Sequence, residues 1–317
     1  MSTKIVNEQD RFICLIDESW KNGEDFIRWY TGCEDRLNAL LRKYAVVKFC
    51  RTGLNSREDF EKFNKVAIRR PLQYTNGNSP RTKLSDNTYT STEFPSEAFI
   101  SLHNEMSYSP VYPEKIIFFC LVAPARGGET PVLDGRSFVA KLDPGLAADF
   151  TRHRIKYIRN LHGGQGMGLS WQDTFATSDK AAVEQFCREH QLDYTWGEEE
   201  TLRLEQTGPS VMQHPLSRQE VWFNQADQFH PSNNGQEVYE SLKELYEEGN
   251  FPIHALFEDD SPIPEATLEH IREVARREMV ALPWEKGDLM VMDNIAALHG
   301  RNPFEGARSI LVSMGDY

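Results

Sequence analysis

A histidine and a glutamate two residues apart, His103 and Glu105, stand in the segment Phe99-Ile-Ser-Leu-His-Asn-Glu-Met106. If the segment is extended, successive side chains alternate faces, so imidazole and carboxylate point the same way. That is two-thirds of a facial metal site, lacking a second histidine. His299, in Asp288-Leu-Met-Val-Met-Asp-Asn-Ile-Ala-Ala-Leu-His-Gly-Arg301, is the candidate for the missing ligand. It follows a strand-like run and precedes Gly300, where a loop could aim an imidazole at a shared point. Two histidines and a carboxylate on one face suit non-haem Fe(II) and leave coordination positions open for oxygen chemistry.

Taken alone, His-x-Glu carries little weight, because a chain with nine histidines is expected to hold one such pair by chance. The plain alternative is a half-buried strand end with a surface ion pair. Two further features argue for a site. Arg308 opens an apolar strand, where a guanidinium could take a carboxylate in bidentate fashion. Gly127-Gly128-Glu129-Thr130 combines close backbone approach with a hydroxyl that could bond the same carboxylate. His162 and His230, in loop-like contexts, compete for a direct role, whereas His153, His190, His254 and His270 read as strand-end or helix-surface residues.

The elements that must position these residues follow from periodicity. Residues 22–43 and 57–68 carry apolar groups at helical spacing, the second with Ser56 as N-cap. Ala45–Cys50 and Glu114–Val122 read as strands, the latter as a buried one. Ser137 is expected to cap a helix through Leu142, and residues 154–159 alternate with period two. A serine-capped helix is expected from Ser178 to His190, with Ala182, Val183, Phe186 and Cys187 inward. Helices follow at 236–248 and 264–280, and strands at 289–292 and 308–314 close the chain. Residues 71–97, rich in Pro, Asn, Gly, Ser and Thr, predict a long loop directly before His103, a candidate lid. Strands at both ends with helices between them suit an antiparallel sheet sandwich or barrel decorated by helices, in a single domain over 1–317.

Composition narrows the function classes. A net charge of −13 argues against a general nucleic-acid binder. No apolar run approaches the roughly 20 residues needed to cross a bilayer. Five scattered cysteines without C-x-x-C spacing disfavour a disulfide framework or a structural zinc, and a cytoplasmic protein is expected. No G-x-G-x-x-G or Walker pattern follows any strand.

His103-x-Glu105, Gly-Gly-Glu-Thr130 and Asp293-Asn294…His299-Gly-Arg301…Arg308 together resemble the TauD/TfdA-type Fe(II)- and 2-oxoglutarate-dependent dioxygenases. In the middle, Tyr157-Ile-Arg-Asn160, Leu169-Ser-Trp-Gln172, His214-Pro215 and Val221-Trp-Phe-Asn-Gln225 resemble the branch containing the syringomycin-type aspartyl hydroxylase. The resemblance spans roughly residues 95–315. It implies an α+β fold, a clavaminate-synthase-like double-stranded β-helix (jelly-roll) core with inserted and flanking helices. It implies His103, Glu105 and His299 as iron ligands, and 2-oxoglutarate held by Thr130 and Arg308, with Arg301 the rival arginine. Glutamate replaces the aspartate of most members, as in clavaminate synthase, and a carboxylate here argues against the related halogenases. O2 is the oxidant, and Asn104, Trp222, Asn224 and Arg301 are candidate substrate contacts. The activity implied is hydroxylation of an amino acid or amino-acid-derived substrate, free or carrier-protein-tethered, in natural-product biosynthesis. Desaturation, cyclisation or epimerisation with the same cofactors, and a non-catalytic binding barrel, are the alternatives; the oligomeric state is left open.

Overall fold

The computed structural model describes residues 3–6, 12–73, 81–85, 87–92, 94–247 and 249–317. Two sheets carry the centre of the molecule. In the larger one the strands run in the order Thr3–Val6, Ile13–Ile16, Val46–Phe49, Leu289–Asp293, Lys115–Val122, Ser309–Asp316, Thr88–Thr90, Lys83–Ser85. All described pairings in it are antiparallel except Ile13–Ile16 on Val46–Phe49. The smaller sheet has the order Val132–Asp134, Ala297–Arg301, Ile100–His103.

Period-two alternation sorts the central strands into two layers. Ile116, Phe118 and Cys120 face inward with Met290, Met292, Ile310, Val312 and Met314, and they meet Val132 and Ala297 from the smaller sheet and Ala296 from the turn before it. Ile117 and Phe119 face outward with Val47, Phe49, Val291 and Leu311. That outer face is covered by helices Gly23–Gly32, Glu34–Tyr44 and Arg57–Ala67, which bring Phe26, Tyr30, Leu37, Leu41, Phe60 and Phe63. Each of these large apolar side chains stabilises the fold by about 1.5–3 kcal/mol through burial. The outer face of the smaller sheet, Leu102, Leu133 and Leu298, packs on Trp222 and on Leu268, Ile271 and Val274 of the Glu265–Glu278 helix.

Several expected boundaries move. The helix expected over 22–43 is two helices broken at Gly32-Cys33, glycine being the weakest helix former after proline. The Ser56 cap is present, its hydroxyl accepting from the Asp59 amide. Ser137 caps nothing. Asp134 caps the single turn Gly135–Phe138, and the longer helix starts at Pro144 with Asp143 as cap, because proline suits the first helical position. Asp179 rather than Ser178 caps Lys180–Glu189, and on it Val183 and Cys187 are buried while Ala182 is exposed. His254 is buried in mid-strand, within Ile253–Phe257, not at a strand end.

Of the expected loop 71–97, residues 74–80, 86 and 93 lie outside the described residues. Its described part is not featureless. Lys83–Ser85 and Thr88–Thr90 form a hairpin whose second strand pairs with Ser309–Asp316 through Thr90 and Leu311. Backbone pairing to a neighbouring sheet overrides a loop-like composition. The five cysteines are free, and among the described residues no helix is long and apolar enough to cross a membrane.

Candidate metal centre

The strand carrying His103 ends at that residue, so Glu105 does not share its face by alternation. Glu105 sits in the turn that follows, which Met106 enters with a φ of +56°. What aims the carboxylate is Asn294, in the turn between Leu289–Asp293 and Ala297–Arg301. Its Oδ1 accepts from the Glu105 amide at 2.8 Å, and its Nδ2 donates to the Glu105 and Pro113 carbonyls at 3.0 and 2.8 Å. Asn104 fastens the same two turns from the other side, donating to the Asn294 and Ala297 carbonyls at 2.7 and 3.3 Å. The Asn294 turn is itself held by Asp293. One carboxylate oxygen accepts from the amides of Ile295 and Ala296, and the other pairs with His214 and the Tyr317 hydroxyl.

His299 lies within a strand rather than on a loop after one. Its register places it between His103 and Val132, so that cross-strand pairing brings the two imidazoles together. The ladder shifts register between His299 and Arg301, and Gly300 permits it, since a Cβ there would lie 2.4 Å from the Ile100 carbonyl oxygen. The result is a buried triad. The ring centroids of His103 and His299 are 4.4 Å apart, and Glu105 Oε2 lies 3.9 Å from His103 Nε2 and 3.6 Å from His299 Nε2. One ligand atom from each residue falls within 4.8 Å of the others, and no other such cluster of three occurs among the described residues. His162 and His230, the competitors, stand outside it. The first accepts from the Gly164 amide, and the second pairs with Ser232 and packs on His254.

The donor set fits a divalent metal by its chemistry. His103 Nδ1 lies 2.9 Å from the Ser101 carbonyl, which requires the proton on Nδ1 and leaves the Nε2 lone pair for a ligand. Burial first, and then the neighbouring His299, push the His103 imidazole down to about 3, so it is neutral. Burial alone would raise the Glu105 carboxyl. Arg81 and the two histidines outweigh that effect and hold it well below its ordinary range, as a carboxylate. Arg81 Nη2 donates to Glu105 Oε2 at 2.5 Å, with only 3% of its side chain exposed. Residue order carried no signal for this arginine, which stands in the stretch read as a lid.

A narrow cleft runs from the triad between the two sheets, lined by Arg81, Ser91, Thr130 and Arg308 along with both imidazoles. Arg308 is clamped, Nε donating to the Gly128 carbonyl at 2.9 Å and Nη1 to Ser91 Oγ at 3.0 Å. Gly128 takes a φ of +71°, and a Cβ there would come within 2.8 Å of Pro124 and 3.1 Å of Arg308 Cδ. Burial, with Arg301 nearby, pulls the Arg308 guanidinium down to about 10, still cationic at neutral pH. Thr130 Oγ1 accepts from Trp284 Nε1 at 3.2 Å and keeps its own proton to donate.

Arg301 is occupied elsewhere. Its two terminal nitrogens donate to the carbonyls of Thr92, Phe94, Pro95 and Ala98, gathering the chain before His103. Asn104 is fully buried on the Asn294 turn and lines neither the cleft nor the larger cavity. Trp222 and Asn224 reach the wall of that second cavity, of about 820 Å³, which adjoins the triad through Gln228, 3.4 Å from His103 Nδ1. The Asn224 amide is spent on Ser210 and Ala226, and Trp222 is stacked on Phe150.

The chain is similar to known proteins along most of its length. The chain is 33% identical over 280 residues to the dapdiamide synthesis protein DdaC of Enterobacter agglomerans, covering 88% of this chain and 84% of that protein. It is 28% identical over 287 residues to a clavaminate synthase-like protein of Arabidopsis thaliana, covering 88% and 83% respectively. Among solved structures, PvcB, an Fe, alpha-ketoglutarate dependent oxygenase from an isonitrile synthetic pathway, superposes with a TM-score of 0.55 at 15% identity. That match covers 100% of this chain and 91% of PvcB, and it speaks for the fold. Residues 23–314 match the family model "Taurine catabolism dioxygenase TauD, TfdA family". A match over nearly the whole chain, with a His-Glu-His donor set at its centre, makes this protein a member of the TauD, TfdA family and a non-haem Fe(II)- and 2-oxoglutarate-dependent dioxygenase.

Proposed function

We propose that the enzyme hydroxylates an unactivated C–H bond of an amino acid or amino-acid-derived substrate in natural-product biosynthesis. The observation that carries the reading is the pairing of the buried His103-Glu105-His299 triad with a cleft that ends on a clamped arginine. The likeness to a dapdiamide synthesis protein supports the substrate class. The two facing sheets are taken as the halves of a double-stranded β-helix in one domain.

In this reading His103, Glu105 and His299 would hold Fe(II), and three protein ligands would leave coordination positions for the cosubstrate and the oxidant. When bound, iron and 2-oxoglutarate supply the oxidation, 2-oxoglutarate, O2 and R–H giving succinate, CO2 and R–OH. The chain's own residues bind and orient. Arg308 and the Thr130 hydroxyl receive the far carboxylate of 2-oxoglutarate, Gly128 and Ser91 fix the arginine's plane, and Phe118 and Val312 keep the cleft dry. The substrate lies in the 820 Å³ cavity beside His103, with Trp222 and Asn224 in its wall. Arg301 braces the lid segment over both spaces.

The test is anaerobic visible absorption of the purified protein titrated with Fe(II) and then 2-oxoglutarate. A metal-to-ligand charge-transfer band should grow with the keto acid and be lost in His103→Ala. Folded, metal-loaded protein that shows no band would sink the triad reading. With free and carrier-bound amino acids supplied in parallel, a product heavier by one oxygen marks hydroxylation, whereas loss of two hydrogens marks desaturation.

A further inference from the structure

The cavity of about 820 Å³ beside His103 carries one enclosed pair of opposite charges in its wall. Asp227 stands in the single turn Ala226–Phe229, next to Gln228, and Arg272 belongs to the Glu265–Glu278 helix. Arg272 Nε donates to Asp227 Oδ1 at 2.6 Å, and its Nη2 donates to Ser232 Oγ at 2.7 Å. Ser232 Oγ also lies 2.8 Å from His230 Nδ1, which ties the pair to a buried histidine. The Arg272 and Asp227 side chains are only 15% and 14% exposed, so the pair is held in one orientation.

Each partner keeps a polar atom unspent. Asp227 Oδ2 accepts no hydrogen bond and Arg272 Nη1 donates none among the described residues, and neither atom is shut off from solvent. The other charges lining the cavity, Glu265, Glu269, Glu273 and Arg276, are exposed, where water and salt weaken their hold on a ligand. An unspent carboxylate oxygen beside an unspent guanidinium nitrogen is complementary to a ligand that brings an ammonium and a carboxylate side by side. An anion alone would add uncompensated negative charge to a neutral, partly desolvated pair, and a cation alone would add positive charge. A zwitterion preserves neutrality, each of its charges meeting the opposite one.

We propose that Asp227 and Arg272 bind the head group of an unblocked α-amino acid, Asp227 taking the ammonium and Arg272 the carboxylate. The rest of the substrate then extends past Gln228, which lies 3.4 Å from His103 Nδ1, toward the metal centre. A substrate held in this way has its carboxyl free, so it is not joined to a carrier through that group. The proposal rests on the placing of the substrate in this cavity and narrows the substrate class within it.

The experiment is calorimetric titration of the Mn(II)- and 2-oxoglutarate-loaded protein with the common free L-amino acids, then with the methyl ester and the N-acetyl form of the tightest binder. At least one free amino acid should bind, and each blocked form, lacking one charged group, should bind about tenfold or more weaker. Arg272→Gln should bind the amino acid and its ester alike, and Asp227→Asn should bind the amino acid and its N-acetyl form alike. Either change alone strips a partly buried charge of its partner, so the neutral double variant Asp227→Asn/Arg272→Gln guards against misfolding and should bind all three forms with equal weakness. Affinity for 2-oxoglutarate should stay within about twofold in every variant, because neither residue lines the cleft that holds Arg308. Absence of binding by every free amino acid, a blocked form as tight as its free amino acid, or unchanged discrimination in the variants overturns the proposal. Failure of the unmodified protein to bind Mn(II) or 2-oxoglutarate would instead overturn the site assignment beneath it.

Discussion

At the scale of single residues, the two C-terminal arginines divide their labour by what already satisfies them. Arg301 places its terminal nitrogens on four backbone carbonyls between Thr92 and Ala98, whereas Arg308 Nη2 makes no hydrogen bond among the described residues. A guanidinium with donors to spare is the one that can receive a carboxylate. Arg308→Ala is thus expected to weaken 2-oxoglutarate binding by about tenfold or more. Arg301→Ala should leave that affinity within about twofold while lowering stability by roughly 1–3 kcal/mol, because it removes the donors to the buried Thr92 carbonyl and to three part-buried ones. Calorimetry and urea unfolding of the two variants check the ranking, and a reversed ranking would move the cosubstrate to Arg301. The spacing of arginines in the chain left both as candidates, since it does not show which donors the backbone consumes.

At the scale of elements, the site is built at the meeting of two turns. Glu105 follows a strand end and Asn294 follows another, and the bonds between them set where the carboxylate points. Asn294→Ala should therefore lower metal affinity by about 10–100-fold, the usual effect of removing a group that orients a ligand. A competition titration with a chelating dye measures it, and unchanged affinity in a folded variant would refute the role. Asp293-Asn294 was legible in the chain as part of the family pattern, but its function was not. A turn that holds another turn 189 residues away leaves no periodic trace.

For the whole molecule, burying three imidazoles makes acid the weak side of the fold. Burial, chiefly, lowers His103 and His230 to about 3 and His254 to about 4, from an ordinary 6.5. Neighbouring cations add to this, Arg272 and Lys243 at His230 and Arg203 at His254. The unfolded chain binds these protons first as pH falls below about 6.5, so their stabilising contribution is complete above that pH and is lost toward about 4. Each group costs up to about 1.4 kcal/mol per pH unit over that window. Urea midpoints of metal-free protein should fall steeply as pH is lowered from about 6.5 toward about 4. His254→Leu, which also removes two buried ring nitrogens that have no hydrogen-bond partner among the described residues, should make the fall shallower. An equal slope in the variant would show that His254 does not titrate in that window.

The chain alone pointed to what depends on residue type and order: His103, Glu105 and His299 as candidate ligands, Thr130 and Arg308 as candidate cosubstrate contacts, the strands at both ends and most helices. These are local or motif-borne, and hydrophobic period or donor chemistry suffices to read them. Only the tertiary structure decided that His299 sits on a strand facing His103, that Asn294 aims Glu105, and that Asn104 and Arg301 serve the scaffold. It also placed Arg81 on the ligand carboxylate. Each of these is a contact across dozens to hundreds of residues. Cross-strand register and the competition of buried donors for acceptors decide such contacts, and neither is encoded at any single stretch of the chain.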